Sequence, residues 1–111
     1  MNIDLGRIFS WLFKRKKKDE NSENIEWKQL TNDAVLNCCE QIGAFEDLNI
    51  EDETIINKIC EEIARLFNNS EKSEMSLKNS FIQGFSNNSF SVGNEKSDLF
   101  VDCYIDSYIN Q

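Results

Sequence analysis

The sequence of 111 residues predicts a mainly α-helical fold: one small domain of three or four helices, preceded by an amphipathic, basic N-terminal helix. Two observations carry this prediction. Apolar residues recur at spacings of three and four in several segments, which is typical of helices with one buried face. The chain also contains no proline, so nothing interrupts these segments. A short strand near residues 25–30 or 90–105 is the alternative that the sequence leaves open.

Charge divides the chain into unequal parts. Residues 1–18 contain six basic residues and one acidic residue, a net charge of +5, whereas residues 19–111 contain six basic and nineteen acidic residues, a net charge of −13. Residues 19–24 (DENSEN) are polar throughout, which is typical of a flexible linker. We therefore divide the chain into a leader helix (1–18), a linker (19–24) and an acidic helical domain (25–111).

The leader is predicted to be an amphipathic helix that lies at an interface. Leu5, Ile8, Phe9 and Leu12 fall within one arc of a helical wheel, and five consecutive bases follow the helix. Aromatic residues suit the headgroup boundary of a membrane, and clustered bases suit anionic lipid. Docking on the protein's own domain or on a partner is the alternative. The predicted docking residues are Leu5, Ile8, Phe9, Trp11, Leu12, Phe13, Lys14, Arg15, Lys16, Lys17 and Lys18.

The leader does not resemble a membrane span or a secretory signal. Its longest nearly apolar run, Ile8–Phe13, falls well short of the ~20 residues that a spanning helix needs. Its basic cluster follows the apolar stretch, whereas the charges of a secretory signal precede it. We therefore expect a cytoplasmic protein, held peripherally at the inner face of the membrane.

The strongest helix prediction in the domain covers Asn49–Asn69. Either Asn49 or Asp52 is expected at the N-cap, and the acidic residues 51–53 lie where the helix dipole favours negative charge. The predicted buried face consists of Ile55, Ile56, Ile59, Cys60, Ile63, Leu66 and Phe67.

A second helix is predicted in the region from Glu26 to Phe45. Thr31 is the expected cap of a shorter helix, with residues 25–30 as an extended segment before it, and Gly43 lies near its end. The apolar stripe of this region consists of Trp27, Leu30, Ala34, Cys38, Ile42 and Phe45.

A third, shorter helix is predicted to begin after Ser73 or Ser76. Gly84 weakens it by about 1 kcal/mol relative to alanine. Residues 86–96 are expected to form a loop. The apolar face of this helix consists of Leu77, Phe81, Ile82 and Phe85.

The last segment, residues 97–109, fits either a helix or a strand. As a helix, it would be capped by Ser97, and Asp98, Asp102 and Asp106 would form a solvent-exposed stripe at spacings of four. As a strand, its content of valine, isoleucine, phenylalanine and tyrosine is favourable. We favour the helix, because the three aspartates then share one face.

The sequence contains no recognisable catalytic or metal-binding motif. The chain has no histidine, which excludes a Ser-His-Asp triad and an imidazole ligand. The cysteines Cys38, Cys39, Cys60 and Cys103 form no C-x-x-C motif, and we expect buried thiols rather than a metal site or disulfides. We predict neither a metal nor a cofactor.

The function that the sequence favours is a non-enzymatic protein-binding module, held at the membrane by its leader, whose partner has a basic surface. The alternative is a soluble acidic inhibitor or immunity-type protein that neutralises a basic toxin, nuclease or defence enzyme. A carboxylate-based enzyme is a second alternative, although no spacing marks a catalytic pair. The acidic body should repel nucleic acid. The predicted partner surface consists of Glu46, Asp47, Glu51, Asp52, Glu53, Asp98, Asp102 and Asp106.

Overall fold

A computed structural model describes residues 26–109, which form a compact helical domain, so the predicted mainly helical fold is confirmed. No strand occurs within residues 26–109, and the strand alternative is therefore wrong for this part of the chain. The leader (1–18) and the linker (19–24) lie outside the described residues. The elements are α1 (Asn32–Gln41), α2 (Ala44–Asp47), α3 (Glu53–Asn68), α4 (Glu74–Ser86), α5 (Asn94–Tyr104) and a π-helical turn, Ile105–Ile109, that continues α5.

Three helices begin at the side-chain caps that the sequence predicts. The Thr31 hydroxyl accepts a hydrogen bond from the Ala34 N–H at 3.1 Å, and the Asp52 carboxylate accepts one from the Thr54 N–H at 2.9 Å. Ser73 forms a reciprocal capping box with Ser76. Each cap satisfies an amide that the first helical turn leaves without a partner, so the boundaries follow from local chemistry.

The last helix begins earlier than predicted. Gly93 is its N-cap, and the predicted cap Ser97 is fully buried inside the helix, where its hydroxyl donates to the Asn94 carbonyl at 2.8 Å. The prediction of a Ser97 cap is therefore wrong. A serine inside a helix can satisfy its hydroxyl on the preceding turn, which removes its advantage as a cap.

The core lies between α3 and the helices packed around it. α3 packs against both α1 and α4, and α5 packs against α4 and α1. Aromatic rings also join α4 to α5, since Phe81 stacks on Phe100 with ring centroids 4.6 Å apart and contacts Phe85 of its own helix at 4.9 Å. Such pairs add to the stabilisation that burial of the rings already gives.

The α3–α4 crossing is close because Gly84 has no side chain. A Cβ atom at this position would lie 2.3 Å from Cγ1 of Ile63 and 3.2 Å from its backbone nitrogen. Glycine thus lets the two backbones approach to a distance that no other residue allows without a shift.

Two contacts hold the segment before α1 against the C-terminal end of α3. The Asn68 amide accepts a hydrogen bond from the Leu30 N–H at 2.7 Å and donates one to the Leu30 carbonyl at 2.9 Å. Trp27 packs edge-on against Phe67, with ring centroids 5.7 Å apart. The chain therefore enters the domain beside the C-terminal end of α3.

Candidate functional site

Five of the predicted acidic residues lie together on the connection from α2 to the start of α3. We call residues 46–53 the acidic segment, and all five of its carboxylate-bearing residues are exposed. Asn49 turns the chain here with a φ of 57°, and the Ile50 N–H donates to the Phe45 carbonyl at 2.9 Å. Asparagine tolerates this left-handed conformation better than most residues. The five residues are Glu46, Asp47, Glu51, Asp52 and Glu53.

Two carboxylates of the acidic segment have structural partners. Asp52 caps α3, and Asp47 forms an ion pair at 2.5 Å with Lys96, whose ammonium also donates to the Ile42 carbonyl. Within residues 26–109, no cation forms an ion pair with Glu46, Glu51 or Glu53. The acidic segment thus presents three carboxylates to solvent that are not neutralised by a cation of residues 26–109.

The predicted aspartate stripe on the last helix does not form one surface. Asp98 is exposed and forms an ion pair with Lys78 of α4 at 3.1 Å. Asp102 is only 2% exposed, and Asp106 is half-buried in the π-helical turn. The prediction that these aspartates share a solvent-exposed face is therefore wrong at Asp102.

The reason is that α5 is enclosed on every side along its second half. Residues 100–105 are buried without interruption. Sequence periodicity identifies the face of a helix only when one side meets solvent, and that condition fails here.

The described body carries a large excess of negative charge. Residues 26–109 contain sixteen acidic and six basic residues, a net charge of −10. Three of the six bases are already engaged in ion pairs, Arg65 with Glu62, Lys78 with Asp98 and Lys96 with Asp47. Among the remaining acidic residues of the described body, Glu46, Glu51 and Glu53 are exposed and form no ion pair within residues 26–109.

A polar groove of about 450 Å³ lies between α3 and the C-terminal end of α4. The Arg65 guanidinium contacts both oxygens of Glu62, and the Asn87 amide donates to the same carboxylate at 2.7 Å. Hydrogen bonds from Arg65 and then Asn87 hold the pKa of Glu62 below its usual value. The groove is lined by Lys58, Glu61, Glu62, Arg65, Asn87 and Asn88.

The sequence did not predict this groove. The pairing of Glu62 with Arg65 is visible as an i, i+3 spacing, but the contribution of Asn87 depends on how α4 crosses α3. Its two cations, Lys58 and Arg65, balance the charges of Glu61 and Glu62. The groove is therefore neutral overall, whereas the acidic segment is strongly negative.

The four cysteines are free and buried. Within residues 26–109, no group of three or more Cys, Asp or Glu side chains could hold a metal ion. Burial raises the pKa of Cys60 to about 12 and raises that of Cys39 as well. These two thiols therefore stay protonated at neutral pH and act as small apolar side chains.

Comparison of the chain with protein-family models, with curated proteins and with solved structures found no match. None of the helices in the described part of the chain is both long enough and apolar enough to cross a membrane.

Proposed function

We propose that this protein is a non-enzymatic binding module whose acidic body associates with a basic protein. The observation that carries the proposal is the net charge of −10 on residues 26–109, with half of the bases already paired. Charge of one sign on a compact body accelerates association with a partner of opposite sign and fixes its orientation. The acidic segment is the proposed contact surface, because Glu46, Glu51 and Glu53 are exposed and pair with no cation of the described body.

The leader is proposed to hold this body at an anionic membrane surface. Its five consecutive bases, residues 14–18, have the sign opposite to that of the lipid headgroups and of the acidic body. At about 1 kcal/mol per base near the surface, electrostatics alone gives at most roughly 5 kcal/mol, which salt weakens. The apolar side chains of the leader supply the remaining affinity.

Two charge-matched variants test the partner surface. E46Q/E51Q/E53Q removes three charges from the acidic segment, whereas E26Q/E71Q/E95Q removes three exposed charges elsewhere. Both are compared with the wild type in affinity capture from cells that express the protein, at low and high salt. We expect a basic protein that binds the wild type and the second variant, but not the first. Capture unaffected by E46Q/E51Q/E53Q and by salt would contradict the proposal.

Vesicle sedimentation of the 111-residue chain tests the leader. Substitution of residues 14–18 by glutamine should abolish sedimentation with anionic phosphatidylglycerol vesicles, while neither protein should sediment with neutral phosphatidylcholine vesicles. Equal sedimentation of both proteins with anionic vesicles would show that the bases do not anchor the chain.

If the protein is an inhibitor, the same acidic segment binds the partner, but binding also lowers the partner's enzymatic activity. If the captured partner is an enzyme, addition of the wild-type protein should lower its turnover, and E46Q/E51Q/E53Q should restore it. A partner whose activity is unchanged favours the binding module instead.

A further inference from the structure

Four half-buried apolar side chains lie in and beside the acidic segment. Each packs against the core on one side and keeps part of its surface in solvent. An apolar surface that charged residues surround is typical of a contact site. We call these four residues the docking patch; they are Ile42, Leu48, Phe90 and Val92.

The docking patch forms where the loop after α4 lies against the chain around α2. The rings of Phe45 and Phe85 have centroids 5.7 Å apart, and the Phe85 carbonyl accepts a hydrogen bond from the Phe90 N–H at 2.8 Å. Beyond this loop, the Lys96 ammonium donates to the Ile42 carbonyl at 2.9 Å. These contacts bring the four patch residues to one region of the surface, although they come from two separate parts of the sequence.

The acidic segment supplies charge around the docking patch. Leu48 lies within this segment, and Glu46, Glu51 and Glu53 are exposed and form no ion pair within residues 26–109. Repulsion among three like charges raises their free energy until a cation approaches. A ligand suited to this surface therefore combines an apolar face with a cluster of bases.

The leader of this chain has that combination. Its apolar residues at helical spacings are followed by five consecutive bases, residues 14–18. Amphipathic segments with anchors at such spacings bind apolar grooves on other proteins. The net charge of +5 on the leader is opposite in sign to the net charge of −10 on the described body, so their association is electrostatically favourable. The apolar residues that share one arc of a helical wheel are Leu5, Ile8, Phe9 and Leu12.

The tether is long enough to bring the leader to the docking patch. The described chain begins beside the C-terminal end of α3, whereas the acidic segment leads into the first residue of α3. The eleven residues between Lys14 and Glu26 span up to roughly 40 Å when extended, which exceeds the length of the sixteen-residue α3. A tethered ligand within reach has an advantage over dilute partners, because its binding is intramolecular.

We propose that in solution the leader docks on the docking patch of its own chain, with its apolar residues against Leu48 and Phe90 and its bases against the acidic segment. An anionic membrane competes for the same leader, so membrane binding uncovers the acidic segment for its basic partner. The docking involves only the leader and the body, whereas its release by a membrane rests on the proposed function.

The fluorescence of Trp11 tests the docking in the 111-residue chain without lipid. The chain has two tryptophans, so W27F leaves Trp11 as the only one, and phenylalanine keeps a ring against Phe67. At low salt, acrylamide should quench Trp11 several-fold less in W27F than in W27F/E46Q/E51Q/E53Q or W27F/L48S/F90S. The matched control is W27F/D33N/E61Q/E71Q, which loses three exposed carboxylates outside the acidic segment and should protect Trp11 as W27F does.

Vesicle sedimentation tests the competition between body and membrane. E46Q/E51Q/E53Q should sediment with anionic phosphatidylglycerol vesicles at a several-fold lower lipid concentration than the wild type, because its leader no longer has to leave the body. D33N/E61Q/E71Q relieves the same amount of repulsion between body and lipid and should stay close to the wild type. If none of these proteins sediments, the membrane anchor and the release are both wrong, while protection of Trp11 still establishes the docking.

Three outcomes would overturn the docking. One is equal quenching of Trp11 in W27F and W27F/E46Q/E51Q/E53Q, both folded by circular dichroism. Another is protection that grows with protein concentration, which would assign the docking patch to the leader of a second copy. The third is loss of protection in W27F/D33N/E61Q/E71Q, which would show that the total charge of the body attracts the leader rather than the docking patch.

Discussion

Gly84 is the residue on which the packing of α3 against α4 depends most directly. G84A should destabilise the protein by about 2–3 kcal/mol, because the new methyl group would overlap Cγ1 of Ile63 and press on its backbone. Chemical denaturation measures the loss. The double variant G84A/I63A should lose less than the sum of the two single variants, because truncation of Ile63 removes the closest overlap.

G93A is the matched control for this substitution. A Cβ atom at Gly93 meets no atom within 4 Å, and its φ of −87° suits any residue. G93A should therefore change stability by less than about 1 kcal/mol, because the gain through the unfolded state is offset by the poorer N-cap preference of alanine. Equal losses for G84A and G93A would refute the close-contact explanation.

Glu62 gives the protein a small pH-dependent contribution to stability. Because Arg65 and Asn87 lower the pKa of Glu62, its ionised form stabilises the fold at neutral pH. This contribution is lost as the pH falls through that lowered pKa. E62Q should lower the free energy of unfolding by up to about 1 kcal/mol at pH 7, since the pair is near the surface, and by nothing at about pH 2.

E61Q serves as the comparison for E62Q in urea denaturation at both pH values. Glu61 is exposed and forms no ion pair within residues 26–109. We expect E61Q to change stability little at either pH. A deficit for E62Q that persists at about pH 2 would mean that the side chain acts through packing rather than charge.

At the scale of elements, the helices whose boundaries depend on local chemistry were predictable. Thr31, Asp52 and Ser73 each cap a helix as the sequence predicts, because a cap needs only the residues of its own first turn. The start of α5 at Asn94 was not predictable in this way, since its cap Gly93 forms no side-chain hydrogen bond. The burial of Asp102 could not be predicted from the sequence either, because it depends on how the neighbouring helices pack around α5.

The segment before α1 depends on Asn68 for its position. N68D should cost about 1–3 kcal/mol of stability at neutral pH, because a carboxylate cannot donate to the Leu30 carbonyl and places two oxygens against each other. The loss should shrink in acid, where a protonated carboxyl group regains a donor. Thermal unfolding at neutral and acidic pH measures both effects.

N69D controls for the added charge at this end of α3. Asn69 is exposed and is the C-cap of the helix. N69D places the same charge one residue further along and should cost clearly less than N68D. If both variants lose the same stability, the effect belongs to the helix dipole rather than to the pairing with Leu30.

At the scale of the whole molecule, the composition predicted the excess of acid but not its arrangement. The acidic segment forms one exposed group because its residues are consecutive in sequence. The aspartates of the last helix do not form one exposed group, because their environments differ. Asp98 forms an ion pair with Lys78, Asp102 is buried, and Asp106 is half-buried in the π-helical turn. Charge totals are additive along a sequence, whereas exposure is a property of the assembled helices.

Because the body carries an excess of negative charge, we expect its melting temperature to depend on the salt concentration. Raising sodium chloride from about 20 mM to about 500 mM should raise the melting temperature by several degrees, because screening relieves repulsion within the body. The three surface ion pairs that salt weakens are worth little by comparison. E46Q/E51Q/E53Q should show a smaller rise than the wild type, and a melting temperature that falls with salt would contradict the prediction.

The pairing of Asn68 with Leu30 determines from which end of the domain the N-terminal chain departs. Asn68 is the last residue of α3, and the acidic segment ends at the first. At 1.5 Å per residue, the sixteen residues of α3 separate these points by about 24 Å. A partner bound at Glu51 and Glu53 would therefore be separated from the point where the chain enters the domain by about the length of α3.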